Sequence, residues 1–147
     1  MPEHDELTIE RSADLEIDID ELWDRISTRE GWKSWLVDDA HVEVAPGSTG
    51  SAVEDGRTRS VRIDAIAHRS GVAFSWWDDD DPLRGSFVDL TIVELPGGRS
   101  QLHITERFVG ATESMAMRSA TSMSAGVAWD VRLVSLWLMA LHCTVMA

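Results

Sequence analysis

From His41 to Phe108 the sequence consists of short runs in which apolar and polar residues alternate, separated by turn signals. The separators are Pro46-Gly47, Asp55-Gly56, Ser70-Gly71, the acidic run 78–82 and the triplet 96–98. Glycine supplies positive φ and aspartate or proline presets the bend, so each separator predicts a turn between neighbouring strands. This spacing predicts a meander of antiparallel strands near 41–45, 50–54, 57–68, 72–77, 85–94 and 99–108.

Two further elements precede the meander. Residues 7–17 alternate between apolar and polar side chains, which predicts a first strand with one buried face. Asp18 and Glu21 then have the spacing of a capping box, and the apolar residues that follow recur at helical intervals. We therefore expect a short helix here, followed by a second helical turn that carries Trp32 and Trp35.

The two segments after the meander differ from it and from each other in amino-acid composition. Residues 110–126 are rich in Ala, Ser, Thr and Met and indicate either a long loop or a loosely formed helix. Residues 129–145 are apolar on nearly every side at helical spacing, which predicts a long helix that other elements must cover. Asp130 and Arg132 interrupt this stretch, so we expect a buried helix and no membrane span. Nothing marks a domain boundary, and residues 1–147 are expected to form a single domain.

The charge balance bears on partners and compartment. The chain has 13 basic and 26 acidic side chains and a formal net charge of −13, which disfavours nucleic acid and anionic membrane surfaces as partners. The single cysteine, Cys143, cannot form an internal disulfide and has no partner ligands at metal spacing, which fits a reducing cytoplasm. The polar, acidic N-terminus has no secretory pattern. We expect a cytoplasmic protein without a metal ion or other cofactor.

Three segments of the chain resemble a known superfamily. They are IDIDELWDRISTREGWKSWL, the block from APGSTG to FSWW, and VDLTIVELPGGRSQLHITERF. Their order is similar to that in the START-like (SRPBCC) superfamily, in particular its activator-of-heat-shock-ATPase-like and polyketide cyclase branches, which are related to the birch-pollen-allergen-like proteins. Residues 110–126 depart from the pattern, because they are longer and richer in Met and Ser.

The resemblance implies an α+β helix-grip fold. In it, a curved antiparallel sheet of about six or seven strands wraps around a long C-terminal helix, and two short helices follow the first strand. It also implies a cavity between sheet and helix that holds lipids, polyketides, hormones or other apolar molecules.

Alternation within the strands assigns one set of side chains to the inner face of the sheet. The set is Arg57, Arg59, Val61, Ile63, Ala65, Phe74, Trp76, Val88, Leu90, Ile92, Leu102, Ile104, Glu106 and Phe108. Arg59 and Glu106 stand out, because burying an unpaired charge is costly. They are either paired, or in contact with a ligand group, or located at strand ends that open to solvent. Our hypothesis is that they orient a polar group on a mostly apolar ligand.

Seven tryptophans in a chain without tyrosine offer broad, rigid surfaces for a pocket. Trp35, Trp76 and Trp77 are the pocket candidates, although one of the adjacent pair must point outward. Methionines in residues 110–126 suit an adaptable lid, with a poorly ordered insertion as the alternative. The candidate ligand-binding residues are Trp35, Arg59, Val61, Ile63, Phe74, Trp76, Leu90, Ile104, Glu106, Met117, Met123, Trp129 and Leu133.

Three functions remain open from the sequence. The first is binding or sequestering an apolar small molecule, which the almost wholly apolar inner set favours. The second is a cyclase or aromatase acting on such a compound, and the third is a chaperone-regulator-like module that binds a protein through an exposed apolar patch. No catalytic motif is identifiable, so an enzyme is the less favoured interpretation. A homodimer formed through the apolar C-terminal helix also remains open.

Overall fold

In a computed structural model of the protein, which describes residues 7–79 and 81–108, a seven-stranded antiparallel sheet and two helices form an α+β arrangement. The strands are β1 (Leu7–Leu15), β2 (Asp39–His41), β3 (Thr49–Glu54), β4 (Arg57–Ala67), β5 (Gly71–Asp78), β6 (Asp81–Leu95) and β7 (Arg99–Phe108). The helices are α1 (Ile19–Ser27) and α2 (Arg29–Trp35). The strands lie in the order β1-β7-β6-β5-β4-β3-β2, so the meander runs from β2 to β7 and β1 covers its last strand.

The order and type of these elements confirm the prediction from the sequence. The bounds of two strands differ from the predicted ones. The strand expected at 41–45 is β2, which ends at His41. The chain turns instead, because the Ala45 amide donates to the Glu43 carbonyl and Gly47 adopts a φ of 81°. Strand β6 begins at Asp81, four residues earlier than the predicted 85. The helix predicted over 129–145 and the segment 110–126 lie outside the described residues.

Helix α1 begins where the capping pattern places it. The Asp18 carboxylate accepts a 2.8 Å hydrogen bond from the Glu21 amide, which satisfies one of the free donors of the first turn. Ile19, Leu22 and Ile26 then lie on one face and are buried. This face packs against β5, β6 and β7, so α1 covers part of the inner face of the sheet.

The junction between α1 and α2 is closed by two indoles. Trp32 Nε1 donates to the carbonyl of Ile26 at 2.8 Å, and Trp35 Nε1 donates to the carbonyl of Arg25 at 3.0 Å. Carbonyls in the last turn of a helix lack intrahelical donors, so these tryptophans cap α1. The helices approach so closely that a Cβ at Gly31 would lie 2.3 Å from a backbone carbonyl oxygen of α1.

The two faces of the sheet differ as alternation predicts, except near the end of β4. The register of β4 against β5 shifts between Ile63 and Ala65, as at a β-bulge. Ala65, assigned above to the inner face, is therefore exposed, and Ile66 packs against the core instead. Arg57 was assigned to the same face, but its side chain is 62% exposed at the beginning of β4.

Candidate functional site

The inner face of β4 to β7 brings together most of the predicted ligand-binding residues that the structure describes. The buried apolar ones are Val61, Ile63, Phe74, Trp76, Leu90 and Ile104. They lie opposite one another across the sheet: Val61 pairs with Trp76 and Ile63 with Phe74. The Phe74 ring lies 4.6 Å from that of Trp32 and 5.2 Å from that of Trp76, measured between centroids. The sheet therefore presents a continuous apolar and aromatic surface.

A polar group interrupts this surface at one place, which we call the Glu106 cluster: Trp76, Ser86 and Glu106. Glu106 is 3% exposed, and it is the only charged side chain in the described part of the chain that is buried. Ser86 Oγ donates a 2.5 Å hydrogen bond to Glu106 Oε2. Trp76 Nε1 lies 3.0 Å from Ser86 Oγ and 3.3 Å from Glu106 Oε2, so the indole donates towards both oxygens. Strands β5, β6 and β7 each supply one member.

Arg59 lies beside the Glu106 cluster but has other partners. Its guanidinium carbon is 4.5 Å from the centroid of the Trp76 ring, in the geometry of a cation–π contact. Arg59 also forms ion pairs with Glu54 at 3.3 Å and Asp78 at 3.6 Å, and its side chain is 24% exposed. Its Nε is buried and has no hydrogen-bond partner in the described part of the chain. Arg59 thus lies at the solvent-facing margin of the surface, whereas Glu106 is inside it.

The remaining tryptophan candidates have different surroundings. Trp35 is 4% exposed, and its indole nitrogen bonds to the Arg25 carbonyl described above. Trp76 is 1% exposed, whereas its neighbour Trp77 is only half-buried on the opposite face, as expected for adjacent strand residues. The candidates Met117, Met123, Trp129 and Leu133 lie outside the described residues. Ligand contact by any of these residues stays a prediction.

Ser86 is the site residue that the sequence analysis missed. It was omitted because serine is not apolar, although it is two residues before Val88 and therefore belongs to the inner face of β6. The alternation of inner and outer side chains along a strand could have identified it. Asp78 has the same relation to Trp76 on β5, and it lies directly opposite Arg59 in the register.

The carboxyl group of Asp39, which is not part of the inner face, has a lowered pKa. The backbone amide of Ala40 donates to Asp39 Oδ1 at 2.9 Å and is the main reason that the pKa of Asp39 lies below its ordinary value. His41 Nε2, 3.0 Å from the carboxylate, and Lys33 Nζ, at 3.8 Å, act in the same direction. These contacts join α2 to β2.

The described residues contain no group of three potential metal ligands that lie close enough to hold an ion. Neither described helix has the length and apolar character needed to cross a bilayer.

Comparison with known proteins identifies the fold. No family model and no curated protein matches the sequence. CalU16 from Micromonospora echinospora superposes with a TM-score of 0.67 and 19% identity, covering 89% of this chain and 74% of that one. The Aha1 dimer from Colwellia psychrerythraea superposes with a TM-score of 0.69 and 14% identity, covering 91% and 96%.

DynU16, a protein of the dynemicin biosynthetic locus, has a TM-score of 0.61 and 18% identity, and the match covers 86% of this chain and 45% of that one. These superpositions show a START-like helix-grip fold, as the resemblance predicted.

Proposed function

We propose that this protein binds an apolar small molecule against the inner face of its sheet, with the Glu106 cluster orienting a polar group of that molecule. We take residues 1–147 to act as one START-like domain in the cytoplasm. The observation that carries the proposal is the buried Glu106 carboxylate, which accepts hydrogen bonds from Ser86 and Trp76 on an inner face that is otherwise apolar and aromatic among the described residues.

The energetics of Glu106 support a functional role. Removing a carboxylate from water costs several kcal/mol, and hydrogen bonds from Ser86 and Trp76 contribute to offsetting that cost. A well-packed apolar side chain at such a position is often as stabilising as a buried polar one. A carboxyl group at this position of the inner face therefore supports a role in recognition.

The surrounding residues support an apolar ligand. Ligand sites are mostly apolar surfaces with a few polar groups that fix orientation. Phe74 and Trp76 meet edge to face at an interplanar angle of 84°, so aromatic rings form part of this apolar surface. Val61, Leu90 and Ile104 extend this surface across three strands.

The test is a titration with N-phenyl-naphthylamine, a neutral apolar dye whose fluorescence rises on leaving water. We expect saturable binding to the unmodified protein. Val88→Phe enlarges a side chain on the inner face of β6, next to Phe74 and Glu106, and should weaken binding at least about tenfold by filling the space. Val93→Phe is the matched control on the same strand, because Val93 is 54% exposed on the outer face.

The outcomes separate clearly. Absence of saturable dye binding to the unmodified protein would overturn the proposal, whatever the variants do. Equal affinity of the two folded variants, checked by circular dichroism, would also overturn it, because binding would then not involve the inner face.

A second candidate function is an enzyme of the cyclase or aromatase type. The buried carboxylate favours it, because a general acid or base in an apolar site is what such chemistry needs. In this role Glu106 would move a proton on the bound compound. Glu106→Gln should then abolish product formation, followed by mass spectrometry, while dye binding persists; binding without any product supports the carrier function instead.

A further inference from the structure

Resting on the proposed function, we propose that Arg59 is a gate residue at the entrance to the inner face. Its guanidinium lies over the Trp76 ring and has to move aside each time an apolar ligand enters or leaves. The proposal goes beyond binding, because it states the route of the ligand and the side chain that controls how fast the ligand exchanges.

The inner face meets solvent at the end of the sheet where β4 begins. Along β4, Val61 is buried, the Arg59 side chain is 24% exposed and the Arg57 side chain is 62% exposed. On β5, Trp76 is buried, whereas Asp78, two residues further along, is half-buried. Within the described part of the chain, the approach from solvent therefore passes Arg57, Arg59 and Asp78, which we call the entrance.

The opposite end of β4 is covered by α1. The ring of Trp23 on α1 meets the ring of His68 edge-on at 5.5 Å, and Asp20 pairs with Arg69 at 3.1 Å. The buried side chains of the same helix pack against β5, β6 and β7. Entry at this end would require α1 to leave the sheet, so the entrance at Arg59 is the less costly route.

Arg59 is held across the entrance from both sides. Glu54 on β3 is 3.3 Å from its guanidinium, and Asp78 on β5 is 3.6 Å from it. The guanidinium carbon lies 4.5 Å from the centroid of the Trp76 ring. A planar guanidinium suits this position, because it can pair with carboxylates and stack on an aromatic ring at the same time. Arg59 therefore covers part of the aromatic surface at the point where that surface meets solvent.

These contacts can open without any rearrangement of the sheet. Both ion-pair distances are longer than the roughly 2.7–2.9 Å of a charge-assisted hydrogen bond. Arg59 Nε is buried and has no hydrogen-bond partner in the part of the chain that the structure describes. Water can hydrate the guanidinium when the side chain turns outward, so the open position compensates for the contacts that it loses. Arg59 is thus held mainly by charge and by the indole ring, which allows it to move.

The position of Arg59 has a consequence for rates. A guest molecule that reaches the Trp76 ring through the entrance passes the place that the guanidinium occupies. The ion pairs with Glu54 and Asp78 do not depend on the indole, so Arg59 can return across the entrance when a guest is bound. A group that blocks the same path in both directions slows entry and exit together and leaves the affinity nearly unchanged.

The experiment is stopped-flow fluorescence with N-phenyl-naphthylamine, which gives the association rate constant on mixing and the dissociation rate constant on dilution. Arg59→Ala should raise both rate constants at least about fivefold and leave their ratio within about twofold of the original. Arg62→Ala is the matched control, because Arg62 is an exposed arginine on the same strand that pairs with Asp64 at 2.8 Å on the outer face. It should change neither rate constant.

A conservative variant keeps the gate testable if Arg59→Ala does not fold. Arg59→Lys retains the charge but lacks the planar group that stacks and pairs at once, so both rate constants should rise at least about twofold. Unaltered rate constants in the folded Arg59 variants would overturn the gate while leaving apolar binding intact. Faster dissociation with unaltered association would also overturn it, because Arg59 would then be an ordinary ligand contact. Absence of saturable dye binding to the unmodified protein would instead remove the proposed function, and the gate with it.

Discussion

The hydroxyl of Ser86 and the carboxylate of Glu106 are joined by a 2.5 Å hydrogen bond between two buried side chains. The outer face contains a bond of the same kind and length, from Ser75 Oγ to Asp64 Oδ2. The Asp64 side chain is 27% exposed, so water can replace a lost donor there. The two bonds therefore compare one chemical interaction in two environments.

Ser86→Ala should lower the free energy of unfolding by about 1.5–3 kcal/mol, because it leaves a buried carboxylate with one donor fewer. Ser75→Ala should cost less than about 1 kcal/mol, because Asp64 keeps its contact with solvent and with Arg62. Urea denaturation of both variants measures the difference. Equal costs would show that Glu106 is not desolvated as described.

Trp32→Phe should destabilise the junction of α1 and α2. The substitution keeps an aromatic ring but removes the donor to the buried Ile26 carbonyl, which we expect to cost about 1–3 kcal/mol in addition to lost packing. The control is Trp23→Phe, since Trp23 is half-buried and packs edge-on against His68 at 5.5 Å. A cost at Trp23 equal to that at Trp32 in urea denaturation would contradict the capping role.

Substitutions at the two positions that follow the β4 bulge should have effects opposite to those expected from simple alternation. Ile66→Asp should lower the free energy of unfolding by about 2 kcal/mol or more, because Ile66 packs against the core. Ala65→Asp should change it by no more than about 0.5 kcal/mol, because Ala65 is exposed. Thermal unfolding of both variants tests this, and the reverse order would place the bulge elsewhere.

The pKa of the Asp39 carboxyl should lie below its ordinary value. Because the Ala40 amide, His41 and Lys33 lower its pKa in the folded state, ionised Asp39 favours folding. This contribution is fully present above the unfolded pKa of about 3.9 and is lost as the pH falls through the lower folded pKa. NMR of the side-chain carboxyl measures the pKa; His41→Ala should raise it part of the way, since the Ala40 amide remains. Titration at or above the ordinary value would contradict these contacts.

Periodicity was enough to predict the element order, the Asp18 cap and the buried character of the inner face. These features depend on local spacing, which a sequence displays directly. The register shift after Ile63 depends on how β4 pairs with β5, so alternation within one strand could not reveal it. In the structure Ile66 therefore packs against the core at the inner face, whereas Ala65 is exposed.

The candidate site was predictable in its apolar part and less so in its polar part. Alternation along β7 places Glu106 on the inner face, and the sequence suggested Arg59 as a possible partner. In the structure Glu106 accepts hydrogen bonds from Trp76 and Ser86, on two other strands, while Arg59 forms ion pairs with Glu54 and Asp78. Such partners are set by the register between strands, which sequence spacing does not give.

The central claim is that a small molecule binds to the inner face beside the Glu106 cluster. The most direct test is NMR of the tryptophan indole N–H groups during titration with N-phenyl-naphthylamine. Trp76 and Trp77 are adjacent in sequence but lie on opposite faces of β5, so each is the other's control. The account predicts that the Trp76 signal shifts with saturation and the Trp77 signal does not. A shift of Trp77 alone, or saturable binding without any shift of Trp76, would contradict it.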